Sequence, residues 1–470
     1  MEKGKAVIKS KSRSIIILGG GLSGLAAAWD ISIKDVPILI VEKNKQMGGL
    51  AKTLVFDEFR TDIGPHRFIS SNYQLIEKVK SLPMVKLHKV QRISRFFLQG
   101  KFYYYPINAK DVFSNIKLIK MVRILFDYFL EKIKGCFKKS QPKNLEEFII
   151  RTFGKSLAYM NMLNYSEKIW GMPSREISSK WAKERIGGLS VKNVVKALFF
   201  KDLSVKTLTN DFFYPEYGIG SICEALEQQI SERDNCAIAK QTYPKRIIHK
   251  HGKIVKIELM DNNGKGLEMF PGCVVSSIPL TELINLFDPA LPAVVLQAAS
   301  FLKYRAHLCL FLTLKKSFVF CDHWIYFPEK EIPFSRISEP KNFSQVMSPY
   351  DKSSLLIEFF CWEGDEIWRA DKDALLEQIL PWLEKANFIK REDVNDVFVH
   401  REKAAYPLYD IEFEKNLNLI KQYLNQFENL YLCGRRGAFK YNNLDEALED
   451  GLDVADRICQ AFNKETKRAE

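Results

Sequence analysis

The first strongly patterned part of the chain is the stretch 14–50. A β-branched run followed by leucine at 15–18 predicts a buried strand, and the small apolar residues at 25–29 predict a close-packed helix. Between them lies a glycine turn, Gly-Gly-Gly-Leu-Ser-Gly at 19–24, and a second apolar run at 38–41 predicts another strand that ends on Glu42. The order of strand, glycine turn, helix and strand is that of a βαβ nucleotide-binding unit.

The glycine turn predicts a site for a dinucleotide. Gly19 permits the tight turn, Gly21 lets a pyrophosphate approach the backbone, and Gly24 lets the helix contact the strand. The helix start attracts the diphosphate, and Glu42 lies where a carboxylate accepts the ribose hydroxyls. A second Gly-Gly at 48–49 is typical of proteins that hold FAD, so FAD is the predicted cofactor rather than NAD. The predicted cofactor-binding residues of this stretch are Gly19, Gly21, Leu22, Ser23, Gly24, Glu42, Lys43, Gly49 and Leu50.

Further elements follow from the same patterning. The loop Asp-Ile-Gly-Pro-His at 62–66 cannot be helix interior, and it suits a flavin ring lying close to backbone, with Gly64, Pro65 and His66 against the cofactor. A hairpin tip at 99–101 precedes an aromatic strand at 102–105. Helices are predicted at 113–137, 144–153, 156–170, 373–386, 411–426 and 444–462. Strands are predicted at 246–259, with a tight hairpin at 251–252, and at 273–278 and 430–433, with a turn at 434–435.

The helix predicted at 113–137 has polar positions three, four or seven residues apart, which leaves a broad apolar face. Its charges exclude a bilayer-spanning role. We expect the apolar face to pack on the substrate domain. The alternative, a helix lying on a membrane surface, is left open and is not favoured.

Length and composition favour two interleaved domains. With 470 residues and 46% hydrophobic residues, the chain buries a large core. The predicted fold is α/β, a Rossmann-type FAD-binding domain with an inserted α+β substrate domain. The FAD-binding domain is assigned to 13–80, 216–285 and 426–463, and the substrate domain to 81–215 and 286–425.

Charge and cysteine content limit the partners and the cellular location that we expect for the protein. The net charge of +13 comes from lysines spread along the chain, and no nucleic-acid motif accompanies them, so no nucleic-acid partner is predicted. The nine cysteines show no metal-ligand spacing, which predicts a reduced cytoplasmic protein without a metal site. The basic start, 1–13, is followed by too short an apolar run for a signal peptide.

Several blocks together resemble UDP-galactopyranose mutase and its relatives in the FAD-dependent amine oxidase and protoporphyrinogen oxidase superfamily. These blocks are Gly-Pro-His at 64–66, the aromatic block at 100–108, Lys-Ile-Trp-Gly at 168–171, Lys-Tyr-Arg at 303–305, 405–410 and the Gly-Arg to Leu-Asp block at 434–445. The resemblance implies catalytic roles for His66, Trp170, Arg305, Arg435 and Tyr441. It implies substrate contacts from Tyr105, Trp170, Arg185, Arg305, Tyr406 and Tyr441, and cofactor contacts from Gly434, Arg435, Asn443 and Leu444.

The sequence also departs from this family. The second histidine of the family's flavin loop is Ile69 here, and an acidic position of the last block is Asn443. The resemblance implies an enzyme acting on a nucleotide-linked sugar, with N5 of reduced FAD as the nucleophile and a reduced nicotinamide or another electron donor. The alternative is an oxidoreductase that removes hydride from an amine, a porphyrinogen or an isoprenoid.

Overall fold

The computed structural model describes residues 14–105, 118–137, 140–186 and 211–469. The basic segment 1–13 and residues 113–117 of the predicted helix lie outside this range. The strands are β1 Ile15–Leu18, β2 Ile38–Glu42, β3 Thr53–Phe56, β4 Phe59–Asp62, β5 Leu87–Gln91, β6 Ser94–Leu98, β7 Lys101–Tyr104, β8 Asp211–Pro215, β9 Cys236–Lys240, β10 Thr242–Lys250, β11 Lys253–Asp261, β12 Gly266–Met269, β13 Cys273–Ser276, β14 Phe287–Asp288, β15 Tyr304–Leu314, β16 Trp324–Tyr326, β17 Arg336–Ser338, β18 Ser353–Cys361, β19 Val394–Pro407 and β20 Leu430–Leu432.

The described α-helices lie between these strands singly and in runs, and five of them follow one another between β7 and β8. The α-helices are Leu22–Ser32, Tyr73–Lys80, Leu118–Phe137, Leu145–Phe153, Lys155–Leu157, Leu163–Trp170, Ser179–Ile186, Gly220–Ser231, Leu280–Ile284, Ala293–Phe301, Glu366–Arg369, Lys372–Lys385, Phe413–Leu424, Gly434–Gly437 and Leu444–Ala469. A π-helical turn, Ala158–Met162, interrupts the helix predicted at 156–170. Residues 434–437 form a short helix where the sequence predicted a turn.

A five-stranded parallel sheet carries the glycine turn. Its order is β20-β13-β1-β2-β9, so the predicted βαβ unit sits at its centre. Ile15 and Ile17 of β1 point into one hydrophobic core, and Ile16 and Leu18 point into another. Apolar residues on both faces are what a parallel sheet covered on both sides requires. The predicted α/β fold is confirmed.

A second sheet has seven strands within the described residues. Its order is β19-β15-β18-β17-β16-β6-β7, in which β16 and β6 are parallel and the other neighbours are antiparallel. The predicted hairpin around 99–101 forms β6 and β7, and the predicted hairpin at 251–252 joins β10 to β11. Strands β17, β18 and β19 bring side chains from three distant parts of the chain to one surface. The domain boundaries remain predictions.

The helix Leu118–Phe137, called here the outer helix, differs from the expectation. Its inner side is mixed: Met121, Ile124 and Tyr128 are half-buried there, and a carboxylate oxygen of Asp127 accepts a hydrogen bond from the Ser156 backbone N–H at 3.1 Å. Its apolar stripe faces outward, with Phe126 62% and Phe129 61% exposed. The expectation that the apolar face packs on the rest of the chain is therefore met only at Met121, Ile124 and Tyr128, and most of that face is exposed. None of the described helices is both long and apolar enough to cross a bilayer.

Candidate active site

A cavity of about 710 Å³ runs between the two sheets. One end, called here the nucleotide end, is formed by the glycine turn after β1 and by the end of β2. The middle is formed by the 64–66 loop and by the segment that follows β20. The other end, called here the chamber, is walled by aromatic and basic side chains of the second sheet and of helix Leu163–Trp170. A cavity of this size, long and mostly preformed, suits a cofactor together with a substrate.

The glycines at the nucleotide end have the predicted geometry. Gly19 has φ +100°, which favours glycine, and a Cβ on Gly24 would lie 2.2 Å from the Gly19 carbonyl oxygen. A Cβ on Gly21 would meet only the Gly49 Cα, at 4.0 Å, so this position opens into the cavity. Gly19 and Gly24 therefore permit the predicted turn and helix contact, and Gly21 leaves room for the predicted ligand.

The acid at the end of β2 is held by the loop around it. Glu42 accepts hydrogen bonds from the Gly20 N–H at 2.8 Å and from the Asn44 backbone and side-chain nitrogens at 2.9 and 2.7 Å. Helix Leu22–Ser32 begins after Gly21 without a side-chain cap. An uncapped helix start beside an open glycine is a site for a diphosphate. Leu22, Ser23, Lys43, Gly49 and Leu50 also line this end of the cavity.

The 64–66 loop forms one wall of the middle of the cavity. Gly64 has φ +108°, and a Cβ there would lie 3.2 Å from a carboxylate oxygen of Glu358. The buried His66 Nδ1 has no hydrogen-bond partner among the described residues. Burial, followed by the charge of Arg435, lowers the pKa of His66 to about 3. This histidine is therefore neutral near pH 7 and offers a neutral hydrogen-bonding ring to whatever occupies the cavity.

The segment after β20 forms the opposite wall. The Arg435 guanidinium donates to the Asn442 carbonyl oxygen at 2.7 Å and lies 4.8 Å from the Tyr406 ring and 5.4 Å from the Tyr441 ring. The side chain of Asn442 is buried, and its Oδ1 and Nδ2 make no hydrogen bond within the part of the chain that the structure describes. Asn443 is exposed, and its N–H donates to Glu446 at 2.7 Å. Gly434, Leu444 and both asparagines line the cavity.

Aromatic rings close the chamber. Tyr406 and Tyr441 stack at 5.6 Å, and Tyr441 lies 5.9 Å from the buried Trp170. The Trp170 and Trp181 rings meet edge-on at 5.5 Å, and neither indole N–H has an acceptor among the described residues. Burial raises the pKa of Tyr406 to about 12, so its hydroxyl remains a donor at neutral pH. These rings can cover a flat or sugar-like substrate and donate hydrogen bonds to it.

A buried ionic network supports the chamber floor. Arg336 of β17 donates to Glu358 of β18 through Nε at 2.5 Å and through Nη2 at 2.6 Å, and His307 of β15 lies 3.0 Å from the same carboxylate. Burial by itself raises the pKa of Glu358, but Arg336 outweighs it and lowers the pKa to about 2. The paired charges fix Arg336 at the cavity wall. This network was not predicted, because its members come from three strands distant in sequence.

Arg67 is a second residue that sequence reasoning missed. It lines the cavity next to His66, with its guanidinium 5.3 Å from the Trp324 ring. Its Nη1 is buried and has no acceptor in the described ranges. Its place directly after the Gly-Pro-His motif was the available signal. A buried guanidinium with a free donor can bind an anionic group of a substrate.

Two predicted substrate residues, Arg305 and Tyr105, do not line the cavity. Arg305 is buried beneath Gly171, and its guanidinium donates to the backbone carbonyls of Ile169 at 2.9 Å and Phe360 at 2.7 Å. Two of its donor nitrogens are thus engaged by backbone, while its buried Nη1 has no acceptor among the described residues, so the contact of Arg305 with a substrate diphosphate stays a prediction. Tyr105 packs edge-on against Tyr326 at 5.9 Å, one layer behind the wall. Arg185 belongs to helix Ser179–Ile186, and its side chain lies outside the described residues.

The cavity residues fit an FAD. The open position at Gly21, the uncapped helix start and Glu42 suit the adenosine diphosphate part. His66 Nδ1 and the Asn442 side-chain amide are buried and have no hydrogen-bond partner in the described chain. The polar ring of a flavin would supply those partners. Gly64 and Pro65 present backbone rather than side chains beside that place.

Comparison with known proteins agrees with this fit. A family described as flavin containing amine oxidoreductase matches residues 22–459. Reduced UDP-galactopyranose mutase has a similar fold, with a TM-score of 0.80 and 22% identity over 96% of both chains. A protein assigned as a protoporphyrinogen oxidase, from an Exiguobacterium species, has a TM-score of 0.72 and 17% identity over 96% of this chain and 99% of that one. At these identities the likeness establishes the fold alone.

A short match links the chain to a curated enzyme. Carotenoid 3,4-desaturase of Haloarcula japonica is 38% identical over 55 residues, which make up 12% of this chain and 11% of the desaturase. The chain therefore matches only about a tenth of that relative's length. By contrast, the family match extends over nearly the whole chain. The protein belongs to the flavin containing amine oxidoreductase family and is an FAD-dependent enzyme.

Proposed function

We propose that this enzyme acts on a nucleotide-linked sugar in a reaction like that of UDP-galactopyranose mutase. One observation carries the proposal: two guanidinium groups, those of Arg67 and Arg435, line the cavity without a carboxylate partner among the described residues. Guanidinium groups bind phosphate oxygens through paired hydrogen bonds. The mutase structure is also a close fold relative, with a TM-score of 0.80.

The charge of the chamber argues against an amine substrate. Arg67 and Arg435 bring two positive charges to its wall without a carboxylate partner among the described residues, whereas the charge of Arg336, which also lines the cavity, is balanced by Glu358. A protonated amine would meet repulsion there, whereas a diphosphate would be attracted. Tyr406, Tyr441 and Trp170 would cover the sugar.

The roles of the chain's own residues follow from this arrangement. Bound FAD in its reduced form would supply the electron-rich ring nitrogen that a mutase reaction requires. Arg435 would hold the departing diphosphate and neutralise its charge, and Tyr406 would keep its proton and donate to it. Trp170 and Trp181 would exclude water from the chamber, which protects the activated sugar from hydrolysis.

The test uses the purified holoenzyme. Dithionite-reduced and air-oxidised samples are incubated with UDP-, GDP- and dTDP-linked sugars, and products are separated chromatographically. We expect a ring-isomerised nucleotide sugar from the reduced sample only, with no net consumption of electrons. Turnover of none of these sugars, or turnover that consumes oxygen in proportion to product, would overturn the proposal.

The second candidate is a hydride-removing oxidoreductase acting on a lipid-like substrate. The outward apolar stripe of the outer helix and the short desaturase match favour it. In that case the aromatic chamber would hold an apolar chain, and the flavin would be reoxidised by an external acceptor. Bleaching of the oxidised flavin spectrum by an isoprenoid, without any bleaching or isomerisation by nucleotide sugars, would favour this candidate.

A further inference from the structure

The outer helix, Leu118–Phe137, carries its apolar stripe on the wrong side for a core. Successive apolar residues three or four positions apart face outward, which is the spacing of one helix face. Their exposed fractions are high: Ile119 85%, Val122 58%, Phe126 62%, Phe129 61%, Leu130 36% and Ile133 57%. Single exposed apolar residues are ordinary on protein surfaces, but a continuous stripe marks an interaction surface.

The helix is nevertheless firmly attached to the protein. Asp127 accepts a hydrogen bond from the Ser156 N–H, and Lys132 donates to the Arg151 carbonyl oxygen at 3.3 Å. A Cβ on Gly154 would lie 2.8 Å from the Tyr128 backbone nitrogen, so the two backbones are in close contact. A mixed side of the helix, with Ile124, Asp127 and Tyr128, is therefore docked, and the continuous apolar stripe is exposed. This orientation is fixed by named contacts.

The charged residues beside the apolar stripe indicate which kind of partner the stripe binds. Between Ile119 and Gly135 the exposed charged residues are all basic, namely Lys120, Arg123, Lys132 and Lys134, whereas Asp127 and Glu131 are half-buried. At 3.6 residues per turn, Arg123 and Lys134 border the apolar stripe on one side, and Lys134 also pairs with Glu131 at 2.6 Å. Lys132, which donates to the Arg151 carbonyl oxygen, borders the stripe on the other side. Long basic side chains beside an apolar stripe reach lipid headgroups while the stripe enters the acyl boundary.

We propose that the outer helix docks this enzyme on an anionic lipid surface, lying in the plane of the membrane. A second copy of the chain is a poorer partner, because antiparallel pairing of two such stripes brings their basic borders together. The proposal goes beyond the activity proposed above and does not depend on which substrate the chamber takes. It takes up the membrane contact that the sequence left open and did not favour.

The experiment uses the full-length holoenzyme and sedimentation with lipid vesicles. One set of vesicles is phosphatidylcholine alone, and the other is phosphatidylcholine mixed with an equal amount of phosphatidylglycerol. We expect binding to the second set, weakened by high salt because the attraction to the lipid charge is screened. Protein that remains in the supernatant with both sets would overturn the proposal.

Two matched double variants test the surface itself. Phe126→Asp with Phe129→Asp should lower the vesicle partition coefficient at least tenfold, whereas Phe301→Asp with Phe318→Asp, at sites that are 53% and 54% exposed, should leave it unchanged. All four side chains are exposed, so melting temperature and flavin content should stay near those of the parent. Equal losses in both double variants would overturn the proposal, as would a dimer that dissociates only in the helix variant.

Discussion

The two ends of the cavity are built in different ways. At the nucleotide end, Gly19, Gly21 and Glu42 come from one short stretch of chain, and what they present is mostly backbone and open space. In the chamber, Arg336, Glu358 and Tyr406 come from three strands of one sheet, and what they present is side chains. The nucleotide end is formed by residues close together in sequence, whereas the chamber is formed by residues that only the fold brings together.

The two ends also differ in the interactions that stabilise them. The nucleotide end is stabilised by close helix and strand contacts, such as the approach of Gly24 to the Gly19 carbonyl oxygen. The chamber has buried charges, which are stable only while each keeps its partner. Substitutions at the two ends should therefore fail for different reasons. The following changes test that contrast, from the largest expected effect to the smallest.

Two glycine substitutions separate folding from cofactor binding. Gly24→Val should prevent folding, because its Cβ would lie 2.2 Å from a backbone oxygen, a worse clash than overpacking that typically costs about 1–3 kcal/mol. Gly21→Val should fold, because Gly21 has an ordinary φ of −72° and its Cβ position faces the cavity. It should nevertheless lose FAD. Circular dichroism and flavin absorbance of the purified proteins check both, and a Gly21→Val protein with stoichiometric FAD would contradict this account.

Loss of the chamber's buried carboxylate should destabilise the fold. Glu358→Gln leaves Arg336 buried without its counter-charge, which should lower the free energy of unfolding by about 3–5 kcal/mol. The exposed pair Lys403–Glu363 supplies the control, since Glu363→Gln should cost less than about 1 kcal/mol. Urea unfolding at pH 7 measures both. Equal effects would show that burial of the pair carries no special weight.

Protonation of the Glu358 carboxylate should lower the free energy of unfolding at acid pH. Its pKa in the folded protein is lowered to about 2, below the unfolded value of about 4.3, so its contribution is complete above the unfolded pKa. The contribution should be lost as pH falls from about 5 to about 2. In Glu358→Gln this part of the pH dependence should be shallower. Unfolding free energies measured at several pH values for both proteins decide the point, and parallel curves would contradict it.

Two arginines separate binding from structure. Arg67→Ala should raise the dissociation constant for UDP about tenfold or more, since a charge-assisted hydrogen bond contributes about 1.5–3 kcal/mol. Arg305→Ala should leave that constant unchanged and lower the melting temperature, because Arg305 holds two backbone carbonyls away from the cavity. Titration calorimetry and thermal melts measure these quantities. The opposite result would place Arg305 at the diphosphate site.

Two adjacent asparagines give the smallest expected effect. Asn442 is buried in the cavity wall, so Asn442→Asp places a charge where solvent screens it weakly, and the flavin midpoint potential should fall by more than about 30 mV. Asn443 is exposed, so Asn443→Asp should shift the potential by less than about 30 mV. Redox titration of the three proteins compares them. A larger shift at Asn443 would place the flavin on the exposed side of this segment.

Much of the fold could be predicted from the chain because its signals are local. Strands β1 and β2, the helix between them, the hairpin of β10 and β11 and the late helices follow from apolar period and turn residues. The outer helix was also predicted in its described part, but its orientation was not. The spacing of apolar residues shows that a helix has an apolar face. It cannot show whether that face is turned toward the core or toward solvent.

The sequence by itself determined the nucleotide end and the cofactor, because a G-x-G-x-x-G turn acts through backbone shape within a few tens of residues. Tertiary structure alone decided the chamber. It paired Arg336 with Glu358, left Arg67 with an unused donor, turned Arg305 onto backbone carbonyls and turned the outer helix outward. Side-chain charges act over distances of a few ångströms, and only folding determines which of them come that close.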